Sequence, residues 1–237
     1  MTLHDPNVVR TEYADEAGLV ARRAAYEHAT GPNAPEMVFA AVAEVPSHRY
    51  IEVGCGPGEL AVRVRDELRA DVVAIDISPR MVELARGRGV DARLGDVQEL
   101  PFADREFDCA VAAWMLYHVP DVPRALGELA RVLRPGGRLV AVTNGLDHLQ
   151  EMRDLLGLER EATTFSRENG EGLLRAHFAR VELRDAAGAV MFPDREAVQA
   201  YVLASGAMFE GRKDVPQFEG PLVVRRSPVV FVAEKAA

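Results

Sequence analysis

The sequence predicts an α/β fold built on a mostly parallel sheet with helices on both faces, and three observations carry that expectation. Tyr50, Ile51 and Val53 form a short apolar run that breaks into Gly54, Gly56 and Gly58, and residues 60, 61, 64 and 68 of the following stretch are apolar on one helical face. This reads as strand, tight turn and helix. The same succession returns at residues 71 to 76, a buried strand ending in Asp76, followed by Ser78-Pro79. Ser78 suits a helix N-cap and Pro79 the first helical position. Residues 107 to 115 are apolar apart from Asp108, the composition of a central strand covered on both faces.

The remaining elements follow in order. Residues 12 to 30 and about 35 to 45 read as two helices ahead of the sheet, the first stopped by Gly31-Pro32-Asn33. A third strand, residues 90 to 94, leads into Gly95-Asp96. Asp121 caps a helix ending at Leu133, Arg134-Pro135-Gly136-Gly137 reads as a turn, and residues 138 to 143 form another strand. Residues 147 to 158 are expected to be helical, and Ser166 starts a further helix ending near Phe178. Residues 181 to 192 are extended with a break at Ala187-Gly188, and Asp194 caps a helix over about 195 to 204. Residues 205 to 227, with three glycines and two prolines, read as irregular, and residues 227 to 233 as a last strand.

Composition narrows the function. The 237 residues are 48% hydrophobic and 27% charged, an ordinary globular balance long enough for one full core. No apolar run approaches the roughly 18 residues of a membrane span. The start, Met-Thr-Leu-His-Asp-Pro, has neither the basic nor the apolar region of a signal peptide, so a cytoplasmic protein is expected. Cys55 and Cys109 belong to no C-x-x-C pair and read as reduced thiols, with no metal site implied. A net charge of −9 argues against nucleic acid as a partner.

The Gly-rich turn leaves three readings open: a methyl-donor loop, a dinucleotide loop, or a turn joining any βα pair. The dinucleotide fingerprint G-x-G-x-x-G/A wants a small third residue where this chain has Glu59. The pattern here is acid-x-G-x-G-x-G, with Glu52 two residues before Gly54. It resembles the first motif of the class I S-adenosylmethionine (SAM)-dependent methyltransferases. Gly95-Asp96-Val97 before Leu100-Pro101-Phe102, Met115-Leu116-Tyr117-His118-Val119-Pro120-Asp121, and Leu133-Arg134-Pro135-Gly136-Gly137 are similar to later motifs of that family, in the family's order. The resemblance is strong over residues 49 to 145 and weaker in the flanks.

The resemblance implies a Rossmann-like sheet of seven strands, the last antiparallel at the sheet end. It divides one domain into an N-terminal helical cap (1–48), a SAM-binding core (49–145) and substrate-side helices and last strands (146–237). SAM would be the methyl donor and S-adenosylhomocysteine the product. The cofactor residues implied are Glu52, Gly54, Cys55, Gly56, Gly58, Ile77, Met81, Asp96, Val97 and Ala113. Asp76, at a strand tip past the loop, is also expected from its position to accept hydrogen bonds from ribose hydroxyls. Thr143-Asn144-Gly145-Leu146-Asp147-His148, with an N-terminal Tyr13 and Arg22, resembles a subgroup of the family. Arg22, Tyr117 and Asn144 are therefore expected on the substrate side, with His118, His148 and Tyr13 as candidates for catalysis. Alternative roles stay open: His118 as a loop-fixing histidine, and Asn144 or Asp147 as helix caps. The implied reaction is methylation of a small molecule on oxygen or nitrogen, in secondary metabolism, by a monomer or homodimer. The rival functions are a non-catalytic SAM-binding regulator and an NAD(P)-dependent oxidoreductase.

Overall fold

A computed structural model describes residues 5, 8, 18, 22, 25, 26, 29–45, 48–159 and 162–237. Its main sheet has seven strands: β1 (Arg49–Val53), β2 (Asp71–Asp76), β3 (Asp91–Leu94), β4 (Phe107–Ala113), β5 (Leu133–Asn144), β6 (Arg180–Asp185) and β9 (Pro228–Glu234). The spatial order is β3-β2-β1-β4-β5-β9-β6. β1 pairs in parallel with both β2 and β4, so the order reverses direction between β1 and β4. Ligand crevices in open α/β sheets form at that switch point, outside the carboxyl ends of the strands.

The period-two alternation of each strand sends its side chains into two cores. Ile51, Val53, Val73, Ile75, Leu139 and Ala141 face one; Tyr50, Val72, Ala74, Val140 and Val142 face the other. The first is covered by α4 (Val122–Val132) and α6 (Arg167–Arg175) through Leu126, Leu129 and Leu174. The second is covered by α1 (Ala34–Ala43), α2 (Glu59–Leu68) and α3 (Pro79–Gly87) through Val38, Val64 and Val82. Their starts carry the expected chemistry: Ser78 accepts from Met81 N–H, Asp121 from Arg124 N–H, and Ser166 forms a capping box with Asn169.

Four expectations are corrected. The last strand does not lie at the sheet end: β9 is antiparallel to both β5 and β6, and β6 forms the edge. Residues 228–233 are all buried, as suits a strand covered on both faces, whereas β6 alternates charged and apolar residues, as suits an edge. The turn at residues 134–137 is absorbed into β5 as an irregularity, where the register jumps from Phe107↔Leu133 to Cys109↔Arg138. The helix expected over 147 to 158 is shorter. α5 (Gln150–Leu155) begins after Leu149 at φ 57°, and Gly157 at φ 64° follows its end.

Residues 205 to 227 are also more ordered than expected. β8 (Leu222–Arg226) pairs with β7 (Gly188–Phe192) in a separate two-stranded sheet. Val190, Phe192 and Val224 from this ladder pack with Met152 of α5 and with Val198 and Tyr201 of α7 (Arg195–Ala204), making a third core. Among the described residues, no helix is long and apolar enough to cross a membrane.

Candidate functional site

A cavity of about 830 Å³ opens at the switch point. It is lined by the strand-end residues Glu52, Val53, Asp76, Ala113 and Asn144, by the Gly-rich loop, and by the segments that overhang them.

The loop is held by the next strand tip. Gly54, Gly56 and Gly58 adopt φ of 65°, 53° and 81°. One Asp76 oxygen, Oδ2, accepts the Gly56 N–H at 2.8 Å, and Oδ1 accepts the Ser78 N–H at 2.8 Å. Each oxygen keeps a lone pair for a further donor. Burial raises the pKa of Asp76, and the backbone N–H bonds oppose that rise. A Cβ added at Gly56 would meet nothing within 4 Å, so the backbone there borders open space. Gly58 differs. It does not line the cavity, and a Cβ on it would come 2.8 Å from Ala85 Cβ, so its bare backbone serves the approach of α2 to α3.

Glu52 is the buried acid of the site, 4% exposed. Its Oε2 is enclosed and has no hydrogen-bond partner. Burial pushes its pKa up to about 8, a bond from the Ala61 N–H opposes this, and the charge of Asp76 adds to it. The carboxyl is therefore largely protonated at neutral pH, and an arriving cation would favour its ionisation.

Asp96 follows β3 and is braced from the side. Its Oδ1 accepts the Gln98 N–H at 2.9 Å, and the Gln98 amide donates to both carboxylate oxygens at 3.1 and 3.0 Å. The Gln98 Oε1 in turn accepts the Asp121 N–H at 3.1 Å, which ties this strand tip to the cap of α4. Cys55, Ile77, Met81, Val97 and Ala113 supply further wall between these acids.

On the other side of the switch point the wall is built from distant segments. Tyr117 and His118 lie in a 3₁₀ turn (Leu116–His118) after β4, their rings 4.4 Å apart between centroids. His148 Nδ1 accepts the Ser227 N–H at 3.1 Å. A neutral imidazole accepting at Nδ1 carries its proton on Nε2, which lies 3.4 Å from the Tyr26 hydroxyl. Tyr26 and Tyr201 hydroxyls are 2.8 Å apart. Burial pushes the His148 pKa down to about 3, with Arg226 and Arg153 adding to the fall. His148 therefore stays neutral and presents Nε2 as a donor. Burial also raises both tyrosine pKa values, keeping these hydroxyls protonated. Arg22 Nη1 donates to the Ala204 carbonyl at 2.9 Å, which ties the N-terminal segment to the end of α7.

One cavity wall thus gathers Glu52, Gly54, Cys55, Gly56, Asp76, Ile77, Met81, Asp96, Val97, Ala113, Arg22, Tyr117, His118, Asn144 and His148. Gly58 stands behind it, and Tyr13 lies outside the described residues. The capping alternative for Asn144 and Asp147 does not describe α5, whose N-cap is Leu149 without a side-chain bond, while Asp147 pairs with Arg225 at 3.0 Å. Tyr26, Tyr201 and Arg226 also line the cavity and were not among the residues expected there. Among the described residues, no group of three or more His, Cys, Asp or Glu side chains is placed to hold a metal ion.

Residues 51–141 match the family described as a methyltransferase domain. Those residues therefore form a methyltransferase domain, and the seven-stranded sheet with its switch-point cavity is of the class I SAM-dependent methyltransferase type. Among individual relatives, it is 34% identical over 181 residues to 27-O-demethylrifamycin SV methyltransferase of Amycolatopsis mediterranei, covering 73% of this chain and 58% of that protein. It is 34% identical over 107 residues to demethylmenaquinone methyltransferase of Symbiobacterium thermophilum, covering 41% of this chain and 43% of that one. The chain spans about half the length of these curated relatives. Among solved structures, phosphoethanolamine N-methyltransferase 2 of Haemonchus contortus in complex with SAM superposes with a TM-score of 0.66 at 16% identity. That match covers 100% of this chain and 60% of that chain, and it speaks for the fold.

Proposed function

We propose that this chain transfers a methyl group from SAM to oxygen or nitrogen of a small-molecule acceptor, as a cytoplasmic enzyme. The observation that carries this reading is Glu52. An enclosed carboxyl oxygen without a partner, beside backbone left open at Gly56, suits a ligand that brings a cationic ammonium group to the loop. The two acids at the next strand tips fit the rest of an adenosyl group. Asp76 has lone pairs left for ribose hydroxyls, and Asp96 with the Val97 backbone suits the adenine edge. Ile77, Met81 and Ala113 offer apolar wall to the base. The net charge of −9 favours a small molecule over nucleic acid as the acceptor.

When bound, SAM supplies a methyl group already activated by its sulfonium. The protein's share is alignment and exclusion of water. Arg22, Tyr26, Asn144, His148, Tyr201 and Arg226 line the acceptor side of the cavity, with Tyr117 and Met208 beside them. His148, with its proton on Nε2, orients the acceptor as a hydrogen-bond donor. His118, in the turn after β4, takes the role of base where a hydroxyl must lose its proton.

The test is differential stabilisation followed by product detection. Ligand at about 100 times its Kd stabilises the folded chain by about 2.7 kcal/mol. Thermal melts with SAM or S-adenosylhomocysteine should show that rise, and melts with NAD or NADP should show none. Mass spectrometry of acceptor panels incubated with SAM should then find a product one methylene heavier. Stabilisation by NAD or NADP alone would sink the reading. Binding of SAM with no methylated product from any acceptor would leave a non-catalytic binder.

A further inference from the structure

The cavity is electrically divided about the switch point. The carboxylates that line it are Glu52, Glu59, Asp76 and Asp96, all from the β1, β2 and β3 side. Arg63 shares that side, but it is ion-paired to Glu36 at 2.7 Å and Glu67 at 2.9 Å. On the β5 and β9 side the wall carries Arg226 and Arg22 with Tyr26, Tyr201 and His148, and no described carboxylate lines it.

Arg226 ends β8, immediately before the Ser227 N–H that fixes His148. Its guanidinium carbon lies 5.8 Å from the centroid of the Tyr26 ring. Its Nη2 donates to the carbonyls of Pro32 at 3.1 Å and Ala186 at 3.4 Å. Its Nε is enclosed with no acceptor, and among the described residues no carboxylate forms an ion pair with it. The neighbouring Arg225 takes Asp147 instead, at 3.0 Å. Arg226 is partly buried, so water screens part of its charge, and a bound anion would supply the counter-charge that its surroundings lack. Beside Arg226, His148 Nε2, Tyr26 and Tyr201 form a hydrogen-bonded chain; one hydroxyl donates to the other, which leaves one hydroxyl proton for a ligand.

We infer that the acceptor molecule carries an oxyanion, a carboxylate or a phosphate, which Arg226 anchors with help from Arg22 and one hydroxyl of the Tyr26 and Tyr201 pair. This rests on the methyl-transfer reading above and adds the substrate class to it. The anchored group sits across the switch point from the Gly-rich loop, so the nucleophilic atom of the same molecule points back toward the methyl donor. Guanidinium binds both carboxylate and phosphate through paired N–H donors, so the two sources are separated by experiment.

The experiment is calorimetric titration of the full chain with benzoate and with phenyl phosphate, against benzamide and benzylamine as neutral and cationic controls. Each is run with and without S-adenosylhomocysteine. The expected result is that one or both anions bind about tenfold or more tightly than benzamide, in keeping with charge-assisted hydrogen bonds. A stronger benzoate assigns the carboxylate, a stronger phenyl phosphate the phosphate. Arg226→Met should abolish the preference and Arg226→Lys should keep part of it, while both variants still bind S-adenosylhomocysteine, which reports that they are folded. Anions and benzamide binding alike, or a preference that survives Arg226→Met, overturns the inference. Failure of the wild-type chain to bind S-adenosylhomocysteine would instead count against methyl transfer, because the anion preference is read without it as well.

Discussion

On the β1, β2 and β3 side of the cavity, Glu52, Asp76 and Asp96 sit at or just past the ends of successive strands and accept from backbone N–H groups. Asp76 grips Gly56 and Ser78, and Asp96 grips Gln98. On the β5 and β9 side, Arg22, Tyr26, His148, Tyr201 and Arg226 come from four separate stretches; Tyr26 meets His148, Tyr201 and Arg226, and Arg22 is held by the Ala204 carbonyl. The first side is acidic and rigidly tied to the sheet. The second is a donor-rich wall hung on the β7–β8 ladder and α7. A common cofactor and a variable acceptor call for this division: one ligand demands a fixed cradle, the other a wall that can be rebuilt without disturbing the sheet.

Removing Asp76 should produce the largest effect and break the acidic side alone. Asp76→Ala deletes the acceptor for two backbone N–H groups and both oxygens offered to ribose. Hydrogen bonds to a charged group contribute about 1.5–3 kcal/mol each, so SAM affinity should fall about a hundredfold or more. Titration with S-adenosylhomocysteine measures this. Benzoate or phenyl phosphate binding measured on the same variant should stay within about twofold of wild type. A parallel loss of both would mean that the two sides are not independent.

Glu52 gives the next effect, through pH. Its folded pKa of about 8 lies above the carboxylate value of an unfolded chain, so between those values the folded state holds more protons. The ligand-free protein should therefore lose stability as pH rises toward 8. His148 acts oppositely at lower pH. Its folded pKa of about 3 lies below the ordinary imidazole value of 6.5, so its contribution is present above 6.5 and is lost as pH falls toward 3. Just above pH 6.5 the unfolded imidazole still gives up protons and adds a small opposing rise, which Glu52→Gln retains, so the Glu52 decline is read as the difference between wild type and that variant. Urea melts from pH 6.5 to 8 should show a decline of at most about 1.4 kcal/mol per pH unit. Glu52→Gln should flatten it, and saturating SAM should remove it by holding the carboxylate ionised. A decline that persists in Glu52→Gln would dismiss the buried acid as its source.

The same division governs how much of the site was legible in the sequence. The Gly-rich loop, the acids at the tips of β2 and β3, and the caps at Ser78, Asp121 and Ser166 are each written in a few consecutive residues, because backbone turns and caps are local. The donor wall has no such signature. Tyr201 looks like any aromatic on the apolar face of α7, and Arg226 sits where glycines and prolines suggested irregular chain. The pair Val223-Val224 ahead of Ser227-Pro228 was the one local hint of β8, since β-branched residues before a breaker suit a short strand. The position of β9 inside the sheet was legible too, in its unbroken apolar run, but only when compared with the alternating charges of β6.

The smallest effect sharpens the comparison most, because it touches the donor wall without changing charge. Tyr26→Phe removes the hydroxyl between His148 Nε2 and the Tyr201 hydroxyl and keeps the ring that packs near Arg226. Two groups then lose a partner, at a cost of about 1–2 kcal/mol in unfolding free energy. Affinity for S-adenosylhomocysteine should be unchanged, since no part of the acidic side touches this hydroxyl. The catalytic efficiency toward an acceptor should fall through KM more than through kcat, because the hydroxyl helps to hold the acceptor and takes no proton. A fall in kcat with KM intact would reassign Tyr26 to the chemical step, and would make the donor wall part of the reaction machinery rather than its anchor.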